Sequence, residues 1–180
     1  MANSLTGHFR AMARNNAWSN ARLHEACARL TAEEFAAERV SFFPSLRLTL
    51  NHILVVDRYY LANLTGPGRV VFQDEIPCPN AAELASAQTA VDRQLVDFCD
   101  GLDEADLDRV VEFDRDDGVI YPETVRAVLA HLFVHQIHHR GQAHAMLAGT
   151  LVAPPQLDEY FLAYDLPRRE TEIAILGLKP

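Results

Sequence analysis

The pattern of apolar and polar residues along the chain predicts four long amphipathic helices. The first spans about Ser4–Leu30 and carries one apolar stripe with a period of about 3.6 residues. The second, Ser45–Leu64, begins at a serine N-cap and is apolar on nearly every side. The third spans Asn80–Gly101, and the fourth, Pro122–Leu147, opens on a proline that suits a first helical position. Together they predict an all-α fold, an up-down-up-down four-helix bundle.

Short segments connect the four predicted helices. A capping-box pattern at Thr31–Glu34 predicts a brief helical turn after the first helix. Residues 66–79 contain two glycines and three prolines, which predicts a connecting loop. Apolar and polar residues alternate within Arg109–Tyr121, and Asp116-Asp117-Gly118 has the composition of a turn. This stretch predicts a short hairpin-like crossover before the fourth helix.

The C-terminal part of the chain carries weaker patterns. Gly149 predicts the end of the fourth helix, and Leu157–Tyr164 predicts a short apolar helix. The tail has no clear hydrophobic period before Ile173–Leu176. This apolar segment is compatible with two interpretations, an edge strand or a contact with a partner chain. The length of 180 residues predicts a single domain covering the whole chain, 1–180.

Composition and charge exclude several classes of protein. The net charge is −9 and the isoelectric point lies near 5.3, whereas nucleic-acid and anionic-membrane binding need clustered basic residues. The first thirty residues fit neither a signal peptide nor a membrane-spanning helix. Three cysteines without a CxxC pair indicate reduced thiols. We therefore expect a cytoplasmic protein that acts on small molecules and contacts no nucleic acid or membrane.

Four of the eight histidines fall within residues 131–139 of the fourth helix. On a helical wheel with His131 at 0°, the apolar stripe covers roughly 60° to 160°, His139 lies at about 80° and His135 at about 40°. These two histidines are one turn apart on one face, so they can share a metal ion. A single histidine is more often a core residue, but burying two unpartnered imidazoles is costly and favours a metal site. Gln136 excludes the His-Glu-x-x-His motif.

His52 is the candidate for a third ligand. It lies among apolar residues of the second helix, so it is expected to be buried. Helical bundles build metal sites from side chains on facing helices, and His52 can meet His135 and His139 there. His138 and His144 lie off the buried stripe and are not predicted ligands.

Amide side chains interrupt the apolar stripes near these histidines. Asn16 lies in the middle of the first stripe, with Asn20 beside it. A buried amide needs hydrogen-bond partners. Two interpretations are kept for Asn16: its partner is a polar group inside the bundle, or it is the backbone of a neighbouring helix. Gln142 falls near 20° on the fourth wheel, close to the predicted ligands. We expect Asn16, Asn20 and Gln142 to orient a substrate.

Apolar residues outside the stripes predict a homodimer. Trp18 points away from the first stripe, as expected for a partly covered outer surface, and Phe133 and Ile137 lie off the fourth stripe. With the second helix apolar all round, this leaves more apolar surface than a monomer usually exposes.

Several segments resemble a known family. Asn15-Asn-Ala-Trp-Ser-Asn20 is similar to its Tyr-Asn-x-Trp-x-Asn segment, and Ser45–His52 resembles the stretch bearing its first histidine. His135-Gln-Ile-His-His139-Arg-Gly-Gln142 resembles its His-x-x-x-His-Arg-Gly-Gln signature, and Pro155–Asp158 matches the exit after the fourth helix. Over residues 5–164 the chain thus resembles the DinB-like (damage-inducible) family.

The resemblance implies a four-helix bundle, frequently homodimeric, with a divalent metal, zinc or nickel, held by His52, His135 and His139. The family includes relatives of metal-dependent hydrolases and of low-molecular-weight-thiol transferases. Its name reflects induction by DNA damage, which implies a stress response and no DNA binding. The tail, 165–180, lies outside the resemblance and stays unassigned.

Three imidazoles leave at least one metal position open, as in catalytic sites. Two enzyme functions follow: hydrolysis, or transfer of a low-molecular-weight thiol to a small electrophile. A non-catalytic metal-binding dimer with a sensing, buffering or stress-response role is the alternative, because no acidic residue adjoins the histidine cluster as a general base. The substrate and the identity of the metal remain open.

Overall fold

The computed structural model of the protein describes residues 4–66, 76–114 and 119–178. Within them the chain is mainly helical, which confirms the predicted all-α class. The helices are α1 Leu5–Cys27, α2 Ala32–Ala36, α3 Leu46–Thr65, α4 Ala81–Gly101, α5 Val125–Leu147 and α6 Leu166–Leu176, and the strands are β1 Val110–Asp114 and β2 Ile120–Thr124.

Most helix starts follow the predicted capping chemistry. The hydroxyl of Ser45 accepts a hydrogen bond from a backbone N–H of the first turn of α3, and the Asn80 amide oxygen does the same for α4. At α2 the capping box between Thr31 and Glu34 is complete. These bonds satisfy N–H groups that have no partner within the helix.

The start of the fourth predicted helix was wrong. Pro122 lies in β2, paired with Glu112 of β1, and α5 begins at Val125 after Thr124 as N-cap. The hydroxyl of Thr124 accepts from the N–H of Ala127, a cap that Pro122 has no side-chain oxygen to provide. Since Pro122 lies in an exposed two-stranded sheet, its missing N–H is tolerated there.

Four of the helices surround the core. α1 packs against α4 and α5, and α3 packs against the same two helices. Each contributes fully buried leucines to the core, for example Leu23, Leu54, Leu95 and Leu132. None of the described helices has both the length and the apolarity needed to cross a bilayer.

The predicted crossover before α5 is an antiparallel hairpin. β1 and β2 pair with Phe113 opposite Tyr121. β1 contacts α3 and β2 contacts α5, so the hairpin covers the seam between these helices. Its predicted turn, Asp116–Gly118, lies outside the described residues, as do Pro67 and Gly68 of the predicted loop 66–79.

The predicted helix at Leu157–Tyr164 was wrong. This segment is irregular as far as Leu162, and a short 3₁₀ turn follows at Ala163–Asp165. The carbonyl of Leu157, its first residue, accepts from the Ser19 hydroxyl of α1 at 3.4 Å, and the carbonyl of Gln156 just before it accepts from Arg22 at 2.8 Å. The segment therefore packs on α1 as a strap.

The edge strand considered for the tail was also wrong, because residues 166–176 form α6. Pro167 lies in the first turn, where its missing N–H costs nothing. Gly177 ends the helix in the left-handed region with φ 66°, a conformation that favours glycine.

Two predictions for apolar side chains near α1 were wrong. Trp18 is fully buried rather than on an outer surface. Its indole Nε1 donates to Glu172 of α6 at 2.5 Å, and the Tyr160 ring lies 5.6 Å away. Phe133, predicted to be exposed, is buried and stacks on Phe9, whereas Ile137 is 52% exposed as predicted.

Candidate metal centre

Packing of α3 against α5 brings the three predicted metal ligands together. His52 comes from α3, and His135 and His139 come from successive turns of α5. One nitrogen of each ring lies within 4.8 Å of those of the other two rings. The i, i+4 spacing places the α5 pair on one face, and the helix crossing supplies the third imidazole.

The ring contacts define the geometry of this histidine group, His52, His135 and His139. Nε2 of His52 lies 3.0 Å from Nε2 of His135. His139 contacts both other rings, with centroid separations of 4.6 Å to His52 and 4.4 Å to His135. The three rings therefore surround a common point.

Gln142 holds the ring of His139. Its Oε1 lies 2.8 Å from Nδ1 of His139, so it accepts a hydrogen bond when that nitrogen carries the proton. The proton on Nδ1 leaves the lone pair of Nε2 available, as is typical of metal-binding histidines. Gln142 was predicted to orient a substrate, and its described contacts are with His139 and His138.

Burial keeps the imidazoles neutral. It lowers the pKa of His135 to about 3, with a further contribution from the neighbouring histidines. It also lowers the pKa of His52 to about 4 and shifts that of His139 downwards. Neutral imidazole is the form that binds a metal ion, so the group is ready to bind at neutral pH.

The donor set fits a divalent cation such as Zn²⁺ or Ni²⁺, which imidazoles bind well. A hydrogen bond between two imidazoles explains the contact of His52 with His135 but leaves the third ring unexplained. It also leaves the environment of Nδ1 of His135 unexplained, because this nitrogen is buried and has no hydrogen-bond partner among the described residues. In those residues the group contains three imidazoles and no carboxylate or thiol.

The other histidines of α5 do not belong to this group, although two of them border it. His131 and His138 are exposed. His144 is half-buried, and its Nε2 lies 3.0 Å from the carbonyl oxygen of Pro155. None of them belongs to the group, in agreement with their positions off the predicted stripe.

An aromatic side chain and two cavities border the histidine group. Phe43, in the loop before α3, packs on His52 at 4.3 Å and on His139 at 5.7 Å between centroids. A cleft of about 580 Å³ beside it is lined by Arg39 and Gln142. On the other side, His131 contributes to an aromatic-lined cavity of about 250 Å³.

Asn16 and Asn20 lie in the protein interior, where they contact charged side chains. Both amides donate to the Asp92 carboxylate of α4, at 3.1 Å from Asn16 and 3.0 Å from Asn20. Both amide oxygens accept from the Arg140 guanidinium of α5. Of the two alternatives for Asn16, the polar partner inside the fold is confirmed.

These residues belong to a larger set that we call the carboxylate network. Gln136 accepts from Arg140 at 3.1 Å and donates to Asp57. Gln88 donates to both carboxylates, at 2.8 Å to Asp57 and 3.1 Å to Asp92. The members are Asn16, Asn20, Asp57, Gln88, Asp92, Gln136 and Arg140, all buried.

In the network, amides separate one cation from two carboxylates. Asn16, Asn20 and Gln136 each accept from Arg140 and donate to an aspartate. Burial, followed by the charge of Asp92, raises the pKa of Asp57 to about 7, and burial raises that of Asp92 to about 6. Burial also lowers the pKa of Arg140 to about 10.

Of this network, the sequence patterns single out only Asn16 and Asn20 as buried amides. Gln136 directly follows His135, and Arg140 directly follows His139, so α5 presents histidines on one face and network residues on the next. The available signal in the sequence was a polar residue directly after each of these two histidines of α5. Asp57 and Asp92 gave a second signal, since each is the one carboxylate among the buried residues of its helix, α3 or α4.

Fold and site thus define an all-α protein with a three-histidine group between two of its long helices. The DinB family model matches residues 1–170, and the chain belongs to the DinB family. A DinB-like protein from Bacillus cereus ATCC 10987 has a similar structure, with a TM-score of 0.60 and 20% sequence identity, covering 77% of this chain and 90% of that one. This likeness shows a shared fold. No curated protein matches the chain.

Proposed function

We propose that this protein binds one divalent metal ion, zinc or nickel, through His52, His135 and His139 and acts as a metal-dependent enzyme on a small molecule. The observation that carries the proposal is the approach of three neutral imidazoles to within 4.8 Å. Gln142 adds support because it directs the ring of His139 from the second nitrogen, as outer partners of metal-binding histidines do.

A divalent ion with an open coordination position supplies Lewis-acid activation of a nucleophile at neutral pH. The chain holds the ligands and limits the access of water, since Phe43 covers one side of His52 and His139. The cleft lined by Arg39 and Gln142 gives a substrate room beside them. Two reactions suit this arrangement: transfer of a low-molecular-weight thiol to a small electrophile, which the family resemblance favours slightly, and hydrolysis.

The amides have distinct roles in this proposal. Gln142 both lines the cleft and fixes His139, so it is the residue placed to orient a substrate. Asn16 and Asn20 act on the site through Arg140, the neighbour of His139 in α5. The proposed frame for these contacts is an up-down-up-down bundle of α1, α3, α4 and α5.

We also propose a cytoplasmic homodimer. Val134 and Ile137 expose 66% and 52% of their surface on the outer side of α5, and Phe42 in the loop before α3 exposes 78%. Pairing two copies across such a surface removes it from water. Light scattering should give twice the chain mass of 20.1 kDa, and a mass of one chain at micromolar concentration would contradict the dimer. Free cysteines at 27, 78 and 99 agree with a reducing cytoplasm.

The alternative is a non-catalytic metal-binding dimer with a sensing, buffering or stress-response role. The observation in its favour is that the donor group of the described residues includes no carboxylate to accept a proton.

The decisive experiment combines metal analysis with an activity screen. The purified protein should hold about one divalent ion per chain, and His135→Ala should lose it while His138→Ala keeps it. The metal-loaded protein is then tested with thiol and electrophile pairs and with activated esters. A rate that depends on added thiol supports transfer, and a thiol-independent rate supports hydrolysis. A loaded protein that is inert in every assay supports the non-catalytic alternative.

A further inference from the structure

A cavity of about 250 Å³ between α3, the hairpin and α5 has aromatic walls and one acidic residue. We call it the aromatic cavity. The lining residues that define its chemistry are Tyr59, Tyr60, Phe113, Tyr121, Glu123 and His131.

The rings are arranged as walls and not as a stack. Tyr60 lies 5.3 Å from Tyr59, 5.5 Å from Phe113 and 5.3 Å from His131 between centroids, at interplanar angles of 68°, 64° and 61°. Steeply inclined rings around a small space present electron-rich faces from several directions. Such faces attract an organic cation.

The hairpin adds a carboxylate on the same side. Phe113 is paired with Tyr121, and Glu123 is two residues further along β2 and therefore on the same face. Within residues 4–66, 76–114 and 119–178, the Glu123 carboxylate forms no ion pair or hydrogen bond. The cavity thus combines aromatic faces with an acidic group that has no cation of its own in this part of the chain.

We propose that the aromatic cavity binds an organic ammonium group. The rings supply cation–π attraction, and Glu123 supplies the opposite charge. A neutral apolar ligand would remove water from Glu123 without offering it a partner, which costs free energy. An anion would meet the carboxylate directly, and the described lining contains two residues, Glu123 and His131, of the types that commonly bind metals, fewer than the three of the histidine group.

The position of the cavity connects it to the histidine group. His131 precedes His135 by one turn of α5, and the two ring centroids are 6.3 Å apart. A molecule whose ammonium group occupies the cavity can therefore extend towards the three histidines. This step rests on the proposed function, and it defines the substrate class as small molecules that carry a positively charged nitrogen.

The test compares choline with 3,3-dimethylbutan-1-ol, its neutral isostere of nearly the same shape, by calorimetric titration of the metal-loaded protein. Choline should bind saturably, and the neutral alcohol should bind at least about fivefold more weakly, since only the cation gains from the rings and from Glu123. Equal affinities, or no binding of choline at millimolar concentration, would overturn the proposal.

Matched variants locate the binding. Glu123→Gln should weaken choline at least about fivefold and leave the alcohol unchanged. Glu112→Gln is the control, because Glu112 is exposed on the opposite face of the same hairpin and loses the same charge. The same affinity for choline in both variants would overturn the assignment, and Tyr60→Leu should weaken choline more than the alcohol.

The outcome for the cavity is separable from the outcome for the metal site. If choline fails to bind while the metal does, the cavity proposal fails and the proposed function stands. If His135→Ala loses the metal and still binds choline, the cavity is an independent site and its assignment stands. Metal content and choline titration are measured on the same preparations.

Discussion

The histidine group and the carboxylate network lie on neighbouring faces of α5, yet their polar atoms are treated differently. In the network, the amide donors and Nη1 of Arg140 meet acceptors, although Oδ1 of Asp57 and Oε1 of Gln88 have no partner among the described residues. In the histidine group, the ring nitrogens meet one another, and Nδ1 of His135 has no partner in the described chain. The network thus joins opposite charges through hydrogen bonds between helices, whereas the histidine group brings three imidazole nitrogens close together, an arrangement that suits a ligand.

The largest effect is expected from the network, through Arg140→Met. Methionine leaves two buried carboxylates without their cation, so the free energy of unfolding should fall by about 3–5 kcal/mol. Urea unfolding measures the change. His138→Ala, at an exposed position of the same helix, is the control and should change stability by less than about 0.5 kcal/mol. A loss below about 1 kcal/mol for Arg140→Met would contradict a stabilising role of the network.

The histidine group should respond to metal instead. Zn²⁺ at a hundredfold excess over its Kd should raise the free energy of unfolding by about 2.7 kcal/mol, because the ion binds the folded chain. His135→Ala should lose this response, and His138→Ala should keep it. Thermal unfolding with and without Zn²⁺ measures both. An undiminished response in His135→Ala would place the ion elsewhere.

Gln142→Ala tests the amide that contacts His139 of the histidine group. Without its bond to Nδ1, the ring of His139 loses its orientation, so metal affinity should fall at least about tenfold. Competition with a chelating dye measures the affinity. Since Gln142 also contacts His138, His138→Ala serves as control, and an equal loss in that variant would assign the effect to the surface contact.

The last prediction concerns the effect of pH on Asp57. The pKa of this carboxyl is raised from the ordinary value of 3.8 to about 7, so the folded state binds its proton more tightly than the unfolded state does. Its contribution to stability is complete below pH 3.8 and is lost as the pH rises through about 7. Groups facing it are Asp92 on α4 and Arg140 on α5, with Gln88 and Gln136 as hydrogen-bond donors.

Asp57→Asn carries a permanently neutral amide, so the stability of the wild type relative to this variant should fall between pH 5 and pH 8. The slope is at most about 1.4 kcal/mol per pH unit for one proton. Urea unfolding at several pH values measures it. Asp97→Asn, at an exposed position of α4, is the control, and the same trend in both variants or a flat Asp57→Asn difference would contradict the raised pKa of Asp57.

The two regions also differ in how far the sequence predicts them. His135 and His139 are found from spacing on one helix, and His52 from its apolar surroundings on another, because each signal is local. The network joins side chains of α1, α3, α4 and α5, and pairs such as Asn16 with Asp92 depend on how the helices face one another. A helical wheel gives the face of a residue but not the partner across the interface.

The wrong predictions for Trp18 and Pro122 have a similar cause, a contact with another element of the chain. Trp18 was placed outside because the wheel considered only the long helices, and α6 covers it. Helix starts at Ser45 and Asn80 were predicted well, since a cap is decided by a few neighbouring residues. The predicted helix start at Pro122 was wrong because strand pairing with Glu112 outweighed the local preference of proline for a first helical position.

Because α6 packs on Trp18, the fluorescence of this residue reports whether the helix is docked. The chain contains a single tryptophan, so its fluorescence comes from one environment. That indole is buried beneath the strap, with the Arg22 guanidinium 4.3 Å from its ring and Glu172 on its N–H. Detachment of the C-terminal helix would bring water to the indole and shift its emission to longer wavelength. Undocking of the tail can thus be followed without a label, separately from the loss of helix elsewhere.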